Sequence, residues 1–140
     1  SLGGAVRLDL TAALPPVVGD AAQLRQVIHN LLQNAQDALA DTVEPRITIT
    51  SGAEAGMVRL TVADNGCGFP ENVIQRAFEP YVTTKPGGTG LGLAIVKKIV
   101  EEHGGAATIA NVAPRGARVT IQLPAAALDI VRRPAARVQV

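Results

Sequence analysis

A period-two pattern over residues 57–64, with Val58, Leu60 and Val62 at alternate positions, is the feature that most constrains the fold of this chain. Because successive side chains of a strand point to opposite faces, this run predicts a strand with one buried face. Residues 46–50 alternate in the same way, and residues 51–56 between the two runs predict a hairpin loop. With 140 residues, the chain has room for one compact domain and one core against such a sheet.

Two amphipathic helices are predicted as the cover for the buried face. Residues 20–40 have apolar side chains at helical spacing behind Asp20, a good N-cap that has Gln23 in the capping-box position. Residues 91–103 have the same periodicity and end at a pair of glycines. Three further alternating runs predict strands at residues 5–10, 107–112 and 118–123, and the last two form a terminal hairpin.

Residues 65–92 are rich in Gly, Pro and Thr, and only a short helical pattern at residues 71–77 interrupts them. A loop of this length in so small a domain is usually functional. The sequence therefore predicts a functional role for this span.

Composition excludes several classes of function. The 13 basic and 12 acidic residues give a formal net charge of +1, which is too low for the dense basic surface of a nucleic-acid-binding protein. No apolar stretch approaches the roughly 20 residues of a membrane span, and the N-terminus lacks the features of a signal peptide. The single cysteine, Cys67, cannot form an internal disulfide, and we expect a small buried thiol. These features predict a soluble domain with no nucleic-acid partner.

Asp64 has the same strand parity as the apolar residues of its run, so its carboxylate is expected to point inward. One interpretation is a turn-forming aspartate before Asn-Gly. The functional alternative is a purine anchor, in which the carboxylate accepts from an exocyclic amino group. Gly66 and Gly68 would then let the backbone approach a flat ring.

A second glycine cluster, residues 87–92, precedes the second helix and predicts a phosphate site at its N-terminus. The spacing matches neither the dinucleotide fingerprint nor a Walker motif, and a flexible linker is the alternative interpretation. Lys85 lies just upstream, where it could close on phosphates or simply be solvated.

Asn30 and Asn34 lie one turn apart on the first helix and offer neutral amide oxygens, which suit Mg²⁺ when it also binds phosphate oxygens. A polar helix face that caps neighbouring loops is the alternative. Taken together, the inward carboxylate, the amide pair and the glycine-rich helix start predict a nucleoside triphosphate bound with magnesium.

These residues also resemble the ATP-binding catalytic domain of sensor histidine kinases, within the wider group of gyrase, MutL and chaperone ATPases. The lid stretch, residues 81–86, is similar to that of nitrogen-regulation-type sensor kinases, and the resemblance covers roughly residues 5–123. Four motifs carry it: an N box at residues 29–35, a first glycine box at residues 64–68, an F box at residues 77–81 and a second glycine box at residues 88–93.

The resemblance implies an α+β fold, a two-layer sandwich in which a mixed five-stranded sheet packs on three helices with a flexible ATP lid (the Bergerat fold). It implies that residues 1–124 form the catalytic domain and that residues 125–140 are a tail, for which partial disorder is one expectation and docking on a neighbour another. By the same resemblance, ATP and Mg²⁺ are the cofactors.

The resemblance also assigns roles to individual residues. Asn34 is implied as the main magnesium ligand, with Asn30 assisting near the phosphates, and Asp64 as the acceptor for the adenine amino group. Asn30, Asn34 and Lys85 are implied as the catalytic residues. The remaining nucleotide-binding residues that it implies are Asp37, Gly66, Gly68, Phe78, Thr84, Gly88, Thr89, Gly90, Leu91 and Gly92.

The resemblance implies a kinase that passes the γ-phosphoryl group of ATP to a histidine on a dimerisation domain, and from there to a response regulator. No part of this sequence resembles that acceptor, and neither His29, inside the N box, nor His103, at a helix end, is expected to replace it. We expect a cytoplasmic, monomeric domain. The alternatives are a stand-alone anti-sigma-type serine kinase, which would be a dimer, and an ATP-sensing module without activity.

Overall fold

A mixed five-stranded sheet forms one layer of the molecule in the computed structural model, which describes residues 6–11, 14–83, 90–126 and 137–138. Helices form the other layer. In chain order the elements are β1 (Val6–Asp9), β2 (Val17–Val18), α1 (Ala21–Ala38), β3 (Ile47–Glu54), β4 (Met57–Asp64), α2 (Glu71–Ile74), α3 (Gly92–Glu102), β5 (Ala106–Asn111), β6 (Ala117–Pro124) and β7 (Arg137–Val138).

The strands of the main sheet are ordered β1-β3-β4-β6-β5, with β1 parallel to β3 and every other pair antiparallel. This order places β4, which ends at Asp64, in the middle of the sheet. The mixed five-stranded sheet and the three helices that the resemblance implied are both confirmed.

The core lies between the sheet and the two long helices. The inward faces of β4 and β6 alternate as predicted, so that Val58, Leu60 and Val62 are buried opposite residues of β6 that are also buried. Helix α1 contributes Val27 and Leu31, which are 0% and 1% exposed. Helix α1 packs on β4, and helix α3 packs on β5 and β6 and against α1.

The connection between β3 and β4 differs from the prediction. A loop over residues 51–56 was expected, but β3 continues to Glu54 and only Ala55 and Gly56 turn, with φ of 54° and 77°. The small residues after Thr50 show no strand pattern, so the prediction ended the strand too early. Pairing with β4 extends it, since Ser51 is buried opposite Leu60. Positive φ at both turn residues matches the twist of a two-residue hairpin.

The start of α1 is fixed by a side-chain cap and by a residue distant in sequence. Asp20 Oδ1 accepts from the Gln23 N–H at 3.0 Å, as predicted for an N-cap. The Asp20 N–H donates to His103 Nε2 at 3.0 Å, and His103 Nδ1 donates to the Ile99 carbonyl at 2.8 Å. His103 therefore caps the end of α3 and accepts a hydrogen bond from the start of α1.

A small second sheet joins β2 to β7, with Val17 opposite Val138 in antiparallel register. Earlier in the chain than β7, the Ala125 N–H donates to the Gly56 carbonyl and the Ala126 N–H donates to the Pro16 carbonyl, both at 2.8 Å. These described parts of the predicted tail therefore contact the body of the domain. The boundary at residue 124 itself stays a prediction. Within the described part of the chain, none of the helices is both long and apolar enough to cross a membrane.

Candidate nucleotide-binding site

The middle of α1 lies against the start of α3. Asn30 is half-buried, and its Nδ2 donates to the Gly92 carbonyl at 3.4 Å. Asn34 is also half-buried and lies four residues further along, on the same face of α1. The structure thus brings the amide pair beside the end of the second glycine cluster, 62 residues away in sequence.

The start of α3 offers backbone donors to this region. Gly92 is its first residue, and the N-cap residue, Leu91, makes no side-chain capping hydrogen bond. The first N–H groups of a helix have no partner within the helix and carry the positive end of its dipole. An anion is the natural partner for such groups. The other predicted phosphate residues, Thr84, Lys85, Gly88 and Thr89, lie outside the described residues.

The segment that contains those residues is joined at its base. The Tyr81 N–H donates to the Gly90 carbonyl at 2.8 Å, two residues before the first residue of α3. Gly90 has φ of +73°, and a Cβ there would lie 2.5 Å from the Tyr81 carbonyl carbon. Both the dihedral angle and the close approach require glycine.

Asp64 ends β4 with its side chain buried, only 6% exposed, as the strand parity predicted. Its Oδ1 accepts from the Gly66 N–H at 2.9 Å. This bond is the turn that the first interpretation of Asp64 expected, and it also fixes the direction of the carboxylate. The two interpretations of Asp64 are therefore compatible.

Residues 65–69, here called the base loop, pack on the C-terminal end of α1. A Cβ on Gly66 would lie 2.1 Å from the Ala38 carbonyl oxygen, and the Cys67 N–H donates to the same oxygen at 3.3 Å. The loop is also held from the other side, where Asn65 accepts from the Arg46 N–H at 2.7 Å and donates to the Glu44 carbonyl at 3.0 Å. No side chain separates the base loop from the helix.

Helix α1 therefore contacts both regions, the start of α3 at Asn30 and the base loop at Ala38. Eight residues of helix separate these two contacts, a distance of about 12 Å at 1.5 Å per residue. This spacing matches an extended nucleoside triphosphate with its base at one end and its phosphates at the other.

The remaining predicted residues lie around these two regions. Asp37 is exposed, and its Oδ1 accepts from Gln33 Nε2 at 3.0 Å. Phe78 is partly buried against the core. Gly68 has φ of +70°. Cys67 is exposed, so the expectation of a buried thiol is wrong. Its backbone N–H, and not its thiol, makes the contact with α1.

The donor set for a metal consists of the amide oxygens. Among the residues that the structure describes, no group of three or more His, Cys, Asp or Glu side chains is placed to hold a metal ion. Neutral amide oxygens beside a helix start that can receive phosphates fit Mg²⁺, because this ion takes few protein ligands and completes its shell with phosphate oxygens and water.

Sequence reasoning missed a third group of contacts to the base loop. Asn111 and Arg115, at the tip of the β5–β6 hairpin, hydrogen-bond to its backbone. The alternating runs predicted the hairpin and its turn. No local pattern indicated that this turn lies against a loop more than 40 residues earlier.

The fold and the paired glycine-rich sites define an ATPase domain, and comparison with known proteins identifies its family. The chain belongs to the histidine kinase-, DNA gyrase B- and HSP90-like ATPases, whose pattern matches residues 19–127. The predicted resemblance to histidine kinase catalytic domains is confirmed.

Three relatives in sequence are sensor proteins of bacteria. An NtrY-like sensor histidine kinase of Rickettsia conorii is 43% identical over 79% of this chain and 18% of its own length. The sensor histidine kinase ZraS of Escherichia coli O157:H7 is 40% identical over 85% of this chain and 26% of its own length. The C4-dicarboxylate transport sensor protein DctB of Rhizobium meliloti is 40% identical over 85% of this chain and 19% of its own length. The chain thus spans about a fifth to a quarter of the length of these relatives.

Solved structures agree in fold. The catalytic domain of the histidine kinase ThkA superposes with a TM-score of 0.76 at 34% identity, covering 86% of this chain and 78% of that domain. The mycobacterial sensor histidine kinase MprB superposes with a TM-score of 0.75 at 31% identity, covering 86% of this chain and 81% of that chain. Full-length ShkA, solved in complex with AMPPNP, superposes with a TM-score of 0.72 at 31% identity, covering 88% of this chain and 26% of that chain.

Proposed function

We propose that this chain is the catalytic domain of a two-component sensor histidine kinase, which binds MgATP and transfers the γ-phosphoryl group to a histidine on a dimerisation domain. The observation that carries the proposal is the double contact of α1. Asn30 meets the start of α3, and Ala38 meets the loop that follows Asp64. One helix thus aligns a phosphate region with a base region at the separation that a nucleoside triphosphate needs.

The roles of the residues follow from their positions. Asp64 is buried with its carboxylate oriented by the Gly66 N–H, so it can accept from the adenine amino group. Gly90, Leu91 and Gly92 lead into α3, whose first N–H groups would meet the phosphates. A relative in fold, ShkA, has been solved with AMPPNP, an adenine nucleotide, which supports ATP as the ligand of this chain.

Asn30 and Asn34 are proposed to hold Mg²⁺, and Asn34 is the main ligand. When bound, the ion neutralises charge on the phosphate oxygens. Hydrolysing members of the wider group carry a glutamate base one helical turn before the metal asparagine, and this chain has Asn30 there. With no carboxylate in that position to activate water, transfer to a positioned acceptor is favoured over hydrolysis.

Seven further residues complete the proposed site. Asp37, on α1, and Gly68, in the base loop, belong to its base end. Phe78, which packs on the core, belongs to the F box. Lys85 and Thr89 are proposed for the phosphates, together with Gly88 and Thr84, and all four lie outside the described residues.

Calorimetric titration tests the binding proposal. The chain is titrated with ATP and with GTP, each with and without magnesium, and we expect selective binding of ATP that magnesium strengthens. Asp64→Asn should weaken ATP binding, because the amide presents a donor to the adenine amino group. Asp9→Asn is the matched control, since Asp9 is an exposed carboxylate on β1. Equal ATP affinity in wild type and Asp64→Asn would remove Asp64 from the site.

A transfer assay tests the catalytic proposal. The chain is incubated with γ-labelled ATP and with the dimerisation domain of a related sensor kinase supplied in trans. We expect label on that domain in an acid-labile, alkali-stable form, as for phosphohistidine. Tight ATP binding without any transfer to a panel of such domains would instead favour a nucleotide-sensing module.

The setting of the domain is also a proposal. ATP as substrate and a lone exposed cysteine fit the cytoplasm, where thiols remain reduced. The response regulator would be an indirect partner through the dimerisation domain. We propose a monomer for the catalytic domain over residues 1–124, which sedimentation analysis of the chain would check.

A further inference from the structure

The tip of the β5–β6 hairpin lies against the base loop, and one side chain spans the gap between them. Asn111 Oδ1 accepts from the Phe69 N–H at 2.9 Å, and Asn111 Nδ2 donates to the Phe69 carbonyl at 2.8 Å. A single amide thus pairs with both backbone groups of one loop residue. This is the pattern by which a neighbouring strand would hold the same residue.

The guanidinium of Arg115 makes a second contact with the base loop, at Gly66. Its Nε donates to the Gly66 carbonyl at 2.8 Å. Hydrogen bonds from a guanidinium are stronger than those between neutral groups. The N–H of the same Gly66 donates to Asp64 Oδ1. Arg115 therefore holds the residue that orients the Asp64 carboxylate.

Close packing at two glycines also brings the two elements together. A Cβ on Gly116 would lie 1.9 Å from the Asp64 carbonyl oxygen, and Gly116 has φ of +116°. A Cβ on Gly68 would lie 2.9 Å from Asn111 Oδ1 and 3.1 Å from the Gly116 carbonyl oxygen. Movement of the hairpin tip would therefore move the base loop.

We propose that Asn111 and Arg115 are positioning residues of the nucleotide site, which set the affinity for the adenine base through the base loop. The inference rests on the proposed function, because it assumes that Asp64 and the base loop receive the base. Their effect is confined to the base end, since the phosphate end is built by the start of α3 and the middle of α1. Loss of either residue should weaken adenine binding and leave phosphate binding unchanged.

The test compares a ligand that has a base with one that has none. The full chain is titrated with ATP and with inorganic tripolyphosphate, both in the presence of magnesium, and the melting temperature of each variant is recorded. For Asn111→Ala and Arg115→Ala we expect the Kd for ATP to rise about tenfold, as for the loss of one or two backbone hydrogen bonds. The Kd for tripolyphosphate should stay that of the wild type.

Two kinds of variant separate hydrogen bonding from packing. Asn111→Asp keeps the shape but turns the donor toward Phe69 into an acceptor, so it should bind ATP as weakly as Asn111→Ala. Arg118→Ala, which removes an exposed guanidinium from the same hairpin, should bind ATP like the wild type. If Asn111→Ala fails to fold, Arg115→Ala and Arg115→Lys carry the comparison, and the lysine variant should recover part of the affinity because it also donates.

The outcomes distinguish the inference from the proposed function. A wild-type chain that binds neither ATP nor tripolyphosphate contradicts the proposed function and the inference with it. A wild-type chain that binds ATP, with Asn111 and Arg115 variants that bind it equally well, contradicts the inference alone. Parallel weakening of ATP and tripolyphosphate would also contradict it, because the change would then not be confined to the base.

Discussion

The contact between Gly66 and the end of α1 offers a sharp test of how the base loop is built. In a Gly66→Ala variant the new Cβ would lie 2.1 Å from the Ala38 carbonyl oxygen and 2.7 Å from its carbonyl carbon. Real Cβ contacts are essentially never shorter than 3.0 Å, so the loop and the helix must separate by about 0.9 Å. Both partners are backbone, so no side-chain rotation relieves the contact.

The size of the effect follows from this separation. Forcing an extra methyl group into a packed region costs about 1–3 kcal/mol. The Cys67 N–H bond to Ala38, already 3.3 Å long, would be lost as well. For a domain of this size the clash alone corresponds to a fall in melting temperature of roughly 3–9 °C, at about 3 °C per kcal/mol, and the lost hydrogen bond adds to this fall. Because Gly66 also orients Asp64, ATP affinity should fall in the same variant.

Thermal unfolding followed by circular dichroism measures the first effect, and ATP titration the second. Gly52→Ala is the matched control, because the nearest atom to a Cβ at Gly52 is Thr11 Oγ1 at 4.0 Å. Gly52→Ala should be as stable as the wild type or slightly more so. A Gly66→Ala variant that melts with the wild type would show that the loop does not pack on α1 as described, and the argument would fail.

Three further changes test other parts of the structure. Leu31→Ala should lower the free energy of unfolding by about 2–5 kcal/mol in urea titrations, because Leu31 is 1% exposed in the core; a smaller loss would mean that the site refills. His103→Ala should lower it by about 0.5–1.5 kcal/mol, since the exposed Asp20 N–H loses its hydrogen bond to the imidazole; equal stability would mean that water replaces the imidazole. Asn34→Ala should abolish the magnesium dependence of ATP binding and leave magnesium-free binding unchanged, and calorimetry showing unchanged dependence would reassign the metal ligand.

Local patterns predicted the parts of the fold that are determined locally. The alternation in β4 gave the buried face and the inward Asp64, and the spacing after Asp20 gave α1 to within two residues. These succeed because strand parity and helix periodicity are properties of neighbouring residues. The predicted end of β3 was wrong for the converse reason, since Ser51 belongs to a strand only because Leu60 pairs with it.

The candidate site shows the same division. The motifs predicted which residues to examine, and the proximity of Asn30 to Gly92 agrees with them. The contacts of Asn111 with Phe69 and of His103 with Asp20 join residues 42 and 83 positions apart. Asparagine at a strand end and histidine at a helix end are each compatible with many partners. Only the packing of the whole domain selects one.

The hydrogen bond between Tyr81 and Gly90 has a consequence for how such domains diverge. It joins the chain on both sides of the eight residues from 82 to 89, so the ends of that segment meet at one point beside α3. The entropy of closing a flexible loop grows only with the logarithm of its length, about 0.6 kcal/mol for each doubling. Insertions and deletions between these two residues therefore cost the folded state little free energy. Evolution can change the length and chemistry of this segment among relatives while the sheet and both long helices keep their geometry.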